Sequence, residues 1–172
     1  MKELILGGVR SGKSTLAEQH ATASGLPVIY VATAEVRDEE MRERIAHHQE
    51  RRPDHWQLVE AGQDLADVLQ HVARADCCVL VDCLTLWLTQ LLCDMDESRL
   101  QFEVSALLHV LPDLPGQIIL VSNETNMGVT PMGELSRRYC DEAGRLHQQL
   151  GVICERVILT VAGLPLMVKG GL

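Results

Sequence analysis

The chain has 172 residues, enough to bury one substantial core and too few to require more than a single domain spanning residues 1–172. A formal net charge of -9 argues against general binding to nucleic acid or to an anionic membrane surface, so an anionic ligand must be held by a focused site. Hydrophobic residues make up 47% but aromatic ones only 3%, so the core must be aliphatic, and the six cysteines, none in C-x-x-C spacing, read as buried reduced thiols.

Aliphatic runs alternate with helical patterns from end to end, which predicts an α/β fold: a mostly parallel, P-loop NTPase-type sheet flanked by helices. Strands are expected near 2–7, 27–33, 56–60, 77–82, 117–122 and 155–162. A short last strand in PLMVKG follows the turn AGLP and should return antiparallel at the edge. The opening MKELILGG shows no charged leader before a long apolar region, and no run approaches ~18 apolar residues, so a cytoplasmic protein without a membrane span is expected.

After the first strand comes GGVRSGKST, Gly7 to Thr15, which satisfies G-x-x-x-x-G-K-[ST] between a strand and a helix. Glycines let the backbone amides of Gly7, Gly8, Val9, Arg10, Ser11 and Gly12 curl around phosphates. Lys13 neutralises the β- and γ-phosphate oxygens, and the Ser14 hydroxyl is placed for Mg²⁺. Segment 37–52 has a helix-forming composition with Met41 and Ile45 at i, i+4. At that period His48 lies about 40° from the apolar direction and His47 about 140° away, facing outward. Spacing therefore names His47 as the member of the pair able to address a ligand, with Arg44, Arg51 and Arg52 available for phosphate.

Leu65, Val68, Leu69 and Val72 form the next helical stripe. In CCVLVDCLT, Asp82 ends an apolar run and reads either as the second metal carboxylate or as the N-cap of a helix starting near Leu84. Trp56 and Trp87 suit packing. Leu100, Val104, Leu107 and Leu111 line another helix, and the leucine-rich stretch 84–111 offers apolar surface. The last helix places Leu135, Tyr139, Ala143, Leu146 and Leu150 on one side and is expected to stop at Gly151 in a left-handed turn, with Arg137, Arg138 and Arg145 on its solvated face.

Taken together, GGVRSGKS, YVATAEVRDEEMRERIAHHQERRPDHW, LVDCLTLWLTQLL, VSNETNMGVTP and RRYCDEAGRLHQQL resemble, in order and over nearly the whole chain, the bifunctional adenosylcobinamide kinase / adenosylcobinamide-phosphate guanylyltransferase family of cobalamin biosynthesis. The resemblance implies phosphorylation of adenosylcobinamide by ATP or GTP, then capping of that phosphate with GMP from GTP, with Mg²⁺ as cofactor and a homotrimer as the assembly. It assigns the covalent GMP intermediate to His47, the residue that periodicity turns outward. It also implies nucleotide contacts from Ala32, Thr33, Ala34, His48, Gln49, Glu50, Arg51, Glu60 and Asp82; Glu60 or Asp82 would read the guanine edge. Two positions depart from the family pattern. Asn126 stands where N-E-x-G-x-G has its first glycine, and His147 stands where G-R-x-N-Q has asparagine. The P-loop by itself would also fit a plain small-molecule kinase with inert histidines, or a nucleotide switch without turnover.

Overall fold

A run such as KELILG, with almost no polar alternation, is stable only where a strand is covered on both faces. The computed structural model, which describes residues 1–33 and 53–171, places it so: β1 (Lys2–Gly7) lies inside a sheet with Leu4 and Ile5 both fully buried. Among the described residues the sheet has seven strands in the order β3-β2-β4-β5-β1-β6-β7. The others are β2 (Val28–Ala32), β3 (Gln57–Glu60), β4 (Cys78–Asp82), β5 (Gln117–Asn123), β6 (Arg156–Val161) and β7 (Leu164–Lys169). All neighbours pair parallel except β6 and β7, so the expected antiparallel return at the C-terminal edge is present. Ala162 and Gly163 join β6 to β7 with φ of 52° and 78°, the left-handed pair that a two-residue hairpin turn requires.

Successive strand residues face opposite layers. Ile5, Leu80 and Ile119 pack under α1 (Lys13–Ala23), whose Ala17 and Ala21 let the helix lie close to the sheet. Leu4, Val79, Val81 and Leu120 pack on the other face, under α2 (Leu65–Val72), α3 (Leu84–Cys93), α4 (Glu97–Val110) and α5 (Glu134–Ile153). Trp56 and Trp87 are both core residues, and the Trp87 indole N–H donates to the Gln63 carbonyl at 2.8 Å.

Four expectations are corrected. The stretch 84–111 is two helices, broken at Met95 (φ 55°) and restarted by Asp96, whose carboxylate accepts from the Arg99 N–H at 3.1 Å. Its Leu84, Leu88, Leu91, Leu92, Leu100 and Leu107 are spent on the core, and the large apolar side chains it leaves exposed are Met95 and Phe102. Gly151 does not end α5, which continues to Ile153. Cys154, fully buried, turns straight into extended backbone towards β6 while its N–H still bonds Leu150 at 2.8 Å, so no left-handed residue is needed. Leu135, in the first turn of α5, projects beyond the core and is 53% exposed. Of the cysteines, Cys77, Cys78 and Cys154 are buried, Cys83 and Cys140 are partly covered, and Cys93 at the end of α3 is exposed; all six are free thiols.

The start of β5 depends on one glycine. Gly116 has φ 76°, and a Cβ there would lie 2.2 Å from the Arg74 carbonyl oxygen and 2.6 Å from that of Cys77. Gly116→Ala combines a left-handed backbone with a backbone clash, so we expect it to lower unfolding stability by roughly 2 kcal/mol or more, read as a shift in urea midpoint at unchanged m-value.

Candidate functional site

The parallel strands end together, and their carboxyl ends carry the residues that the sequence singled out. Register pairs Gly7 with Asn123, Ala32 with Asp82, and Ala32 with Glu60. Beyond Gly7 the chain turns through Gly8 to Gly12 and enters α1. Arg10 (φ 56°) and Gly12 (φ 95°) take left-handed conformations, and the Leu16 N–H bonds the Gly12 carbonyl at 3.0 Å to start the helix. Two glycines are dictated by space. A Cβ on Gly7 would stand 2.3 Å from Ser11 Oγ and 2.7 Å from the Thr160 carbonyl oxygen; one on Gly12 would stand 3.1 Å from Gly163 Cα. The result is an exposed loop, Gly8 to Arg10, leading to the N-terminus of an 11-residue helix, the arrangement in which amides and helix dipole favour an anion.

Lys13 folds back over this loop, its ammonium donating to the Gly8 carbonyl at 3.1 Å. Burial lowers its pKa, opposed by the charge of Asp82, which places Asp82 within electrostatic reach of the ammonium. The Asp82 Oδ2 accepts the Tyr30 hydroxyl at 3.1 Å, and that phenol is pushed upward by burial first and Asp82 second. Asp82 is not the helix cap: Cys83 occupies that position and α3 begins at Leu84 without a side-chain cap. Burial and the neighbouring Asp82 push the Cys83 thiol up to about 11, so it is a thiol at neutral pH.

Ala32 ends β2 half-buried, and Thr33 is fully buried. The Thr33 hydroxyl donates to the Cys83 carbonyl at 2.7 Å and accepts from the Cys83 N–H at 3.0 Å, so this side chain fastens β2 to the end of β4. Glu60 closes β3 and is exposed. Ser14 sits in the first turn of α1, partly covered. Ala34, His47, His48, Gln49, Glu50 and Arg51 lie outside the described residues, as does the whole segment 37–52 for which a helix is expected.

Among the described residues no group of three or more His, Cys, Asp or Glu side chains is arranged to hold a metal. The donors at hand are the Ser14 hydroxyl and the Asp82 carboxylate. An oxygen-only pair of this kind fits Mg²⁺, which keeps most of its shell as water and phosphate.

Sequence reasoning missed a second cluster, although it marked two of its members. His147, on α5, is buried; its Nε2 lies 2.9 Å from Ser122 Oγ at the end of β5, and its Nδ1 lies 3.9 Å from Glu124 Oε2. The Glu124 N–H donates to the carbonyl of Gly7 at 3.0 Å, tying this cluster to the first glycine of the loop. The departures at Asn126 and His147 were the available signal; nothing local joined them to Ser122. Tyr30, the partner of Asp82, gave no signal beyond being a strand residue.

Residues 3–168 match the family described as cobinamide kinase / cobinamide phosphate guanyltransferase. The bifunctional adenosylcobalamin biosynthesis protein CobP of Pseudomonas aeruginosa is 60% identical over 99% of this chain and 98% of its own length. The corresponding CobU proteins of Escherichia coli K12 and Salmonella typhimurium LT2 are 35% and 33% identical, each over 98% of this chain and 100% of their own. Among solved structures, the RadB recombinase superposes with a TM-score of 0.54 at 21% identity, over 92% of this chain and 73% of that one. A Pyrococcus horikoshii OT3 protein gives 0.54 at 10% identity over 98% and 86%. These two likenesses concern the fold, a P-loop NTPase-type sheet.

The buried imidazole makes stability pH-dependent. Desolvation lowers the pKa of His147, with Glu124 opposing, so between the folded and unfolded values the unfolded chain binds the extra proton and stability falls as pH drops below the ordinary histidine value of about 6.5. His147→Asn should therefore lose less stability than the wild type between about pH 7.5 and 5, measured as the difference between their urea-midpoint profiles.

Proposed function

The chain belongs to the cobinamide kinase / cobinamide phosphate guanyltransferase family, and from that premise we propose that it phosphorylates adenosylcobinamide and then transfers GMP from GTP to the product through a covalent GMP on His47. Like its relatives it is a bifunctional transferase, a kinase and a guanyltransferase of adenosylcobalamin biosynthesis. The observation that carries the reading is the 60% identity running across almost the full length of both chains, over a fold whose P-loop is built to receive phosphate.

In the kinase step the acceptor hydroxyl oxygen attacks the γ-phosphorus of ATP or GTP, the bridging P–O bond breaks and the nucleoside diphosphate leaves. Loop amides between Gly8 and Gly12 and the Lys13 ammonium would stabilise the charge on the transferred group, Lys13 exchanging its bond to the Gly8 carbonyl for a phosphate oxygen. In the second step a neutral ring nitrogen of His47 attacks the α-phosphorus of GTP and pyrophosphate departs. A phosphate oxygen of adenosylcobinamide phosphate then displaces the histidine, the P–N bond breaks, and adenosylcobinamide-GDP is released. Mg²⁺, held by Ser14 and Asp82, would supply charge neutralisation at the phosphate oxygens.

Geometry divides the two carboxylates. Asp82 sits within electrostatic reach of Lys13, at the phosphate end, whereas Glu60 lies two strands further from it, roughly 10 Å at sheet spacing. We therefore give the metal to Asp82 and the guanine N1–H and N2–H₂ edge to Glu60, with Ala32, Thr33 and Ala34 between them and His48, Gln49, Glu50 and Arg51 over the nucleotide. The reading includes a cytoplasmic homotrimer. Exposed Leu164 and Leu166 on edge strand β7 are apolar surface that such an assembly can use.

Incubation of the protein with Mg²⁺ and GTP labelled at the α-phosphate, followed by denaturation, tests the covalent step. Acid-labile, base-stable label on the wild-type chain and none on His47→Asn is the expected result. A wild-type chain that binds GTP and is never labelled would overturn the mechanism and leave a plain kinase.

A further inference from the structure

A cleft of about 360 Å³ opens between α5 and the β6–β7 hairpin, next to the P-loop and separate from its phosphate cradle. α5 presents two glycines to it: Gly144 and Gly151 are seven apart, on one helix face; Asn126 lies over Gly144, and a Cβ added at Gly151 meets no atom of the described residues within 4 Å. The floor is apolar, formed by Leu6, Val157 and Val168. Polar groups converge on the rim. Glu124 and Asn126 come from the loop after β5, with the Asn126 side-chain amide anchored to the Cys140 carbonyl at 3.0 Å, and His147 comes from α5.

His147 points to a ligand. Its side chain is more than nine-tenths buried, Nε2 is taken by Ser122, and Nδ1 has no hydrogen-bond partner among the described residues. The 3.9 Å to Glu124 Oε2 is too long for a hydrogen bond. An unpartnered buried ring nitrogen is uncommon and usually marks a site completed by something else. Lys169, at one end of the cleft, donates to the carbonyls of Gly151 and Val152 at 2.9 Å each, so its charge is committed to the end of α5. A rim holding a carboxylate acceptor, an imidazole and an amide over an aliphatic floor suits a neutral ligand that both donates and accepts. A carboxamide on a short aliphatic arm has that chemistry, and the periphery of a corrin ring carries such arms.

Position separates this cleft from the nucleotide. On the reading above, the nucleotide runs from the loop after β1 towards β4, β2 and β3, where Asp82 and Glu60 lie; β6 and β7 are on the opposite side of β1. The two sides meet at Glu124, whose N–H holds Gly7 while its residue lines the cleft. We propose that the cleft between α5 and the β6–β7 hairpin is the acceptor subsite, which takes a carboxamide arm of the corrinoid, with His147 and Asn126 as its specificity-determining residues. This rests on the corrinoid-transferase reading above. Both positions at which the chain departs from the family pattern thereby fall in one place, where they adjust the fit to the acceptor and leave phosphate handling alone.

The test is direct binding of cobinamide by equilibrium dialysis, read by corrin absorbance, with GTP binding measured in parallel, for the full chain and for Gly151→Ala, Gly151→Leu and His147→Asn. Gly151 is helical and faces open space, so both side chains fill the cleft without disturbing the fold, which unchanged or raised melting temperatures confirm. Cobinamide binding should weaken in the order Ala then Leu, by about tenfold or more for Leu, with GTP affinity within about twofold of wild type. His147→Asn should change cobinamide affinity and leave GTP unaffected. Unchanged cobinamide affinity in Gly151→Leu, or a loss of GTP affinity in its place, overturns the subsite while the family reading stands. A wild-type chain that binds GTP but no cobinamide overturns both.

Discussion

The rest of the site depends on how closely the P-loop backbone lies against its own scaffold. Gly7 and Gly12 have no room for a side chain, and the loop is pinned from two sides: the Gly163 N–H donates to the Ser11 carbonyl at 2.8 Å, and the Glu124 N–H to that of Gly7 at 3.0 Å. One bond comes from the β6–β7 turn and the other from the end of β5, the two flanks of β1. A loop fixed in this way keeps its backbone in one conformation, which is what electrostatic preorganisation requires. The antiparallel hairpin at the C-terminal edge is thus part of the site.

In a chain of net charge -9, the positive charge at this loop is compact. Lys13 is half-buried over the loop with Asp82 near enough to oppose the loss of its proton, and Tyr30 holds the Asp82 carboxylate from the sheet interior. Thr33 clamps β2 to β4 through both backbone groups of Cys83, and Gln90 reaches the Thr33 carbonyl from α3. These bonds keep the ends of β2 and β4 level, so that Ala32, Glu60 and Asp82 form one surface.

On the other flank, α5 gives up packing to leave space. Leu146 and Leu150 are buried against the sheet while Gly144 and Gly151 are not filled by any neighbour's side chain apart from that of Asn126 over Gly144. His147 is held between these leucines with one nitrogen satisfied by Ser122. A helix designed only for stability would carry alanine or leucine at Gly151 and an apolar residue at 147.

The sequence by itself determined whatever depends on neighbours along the chain. Aliphatic runs gave all seven strands to within a residue or two, and glycine spacing placed the P-loop and its lysine, because strand period and loop curvature are set within a few residues. The outward His47 is likewise a local inference, and its segment lies outside the described residues. Tertiary structure decided what depends on strand order. It carried α5 past Gly151 because Cys154 had a buried place to occupy, and it drew the leucines of 84–111 inward from the surface they were expected to supply. It also set Asp82 beside Lys13 and His147 beside Ser122 and Glu124. Those pairs are separated by tens of residues in sequence, and no periodicity links them; only the pairing of β5 between β4 and β1, with α5 laid across it, brings their side chains within reach.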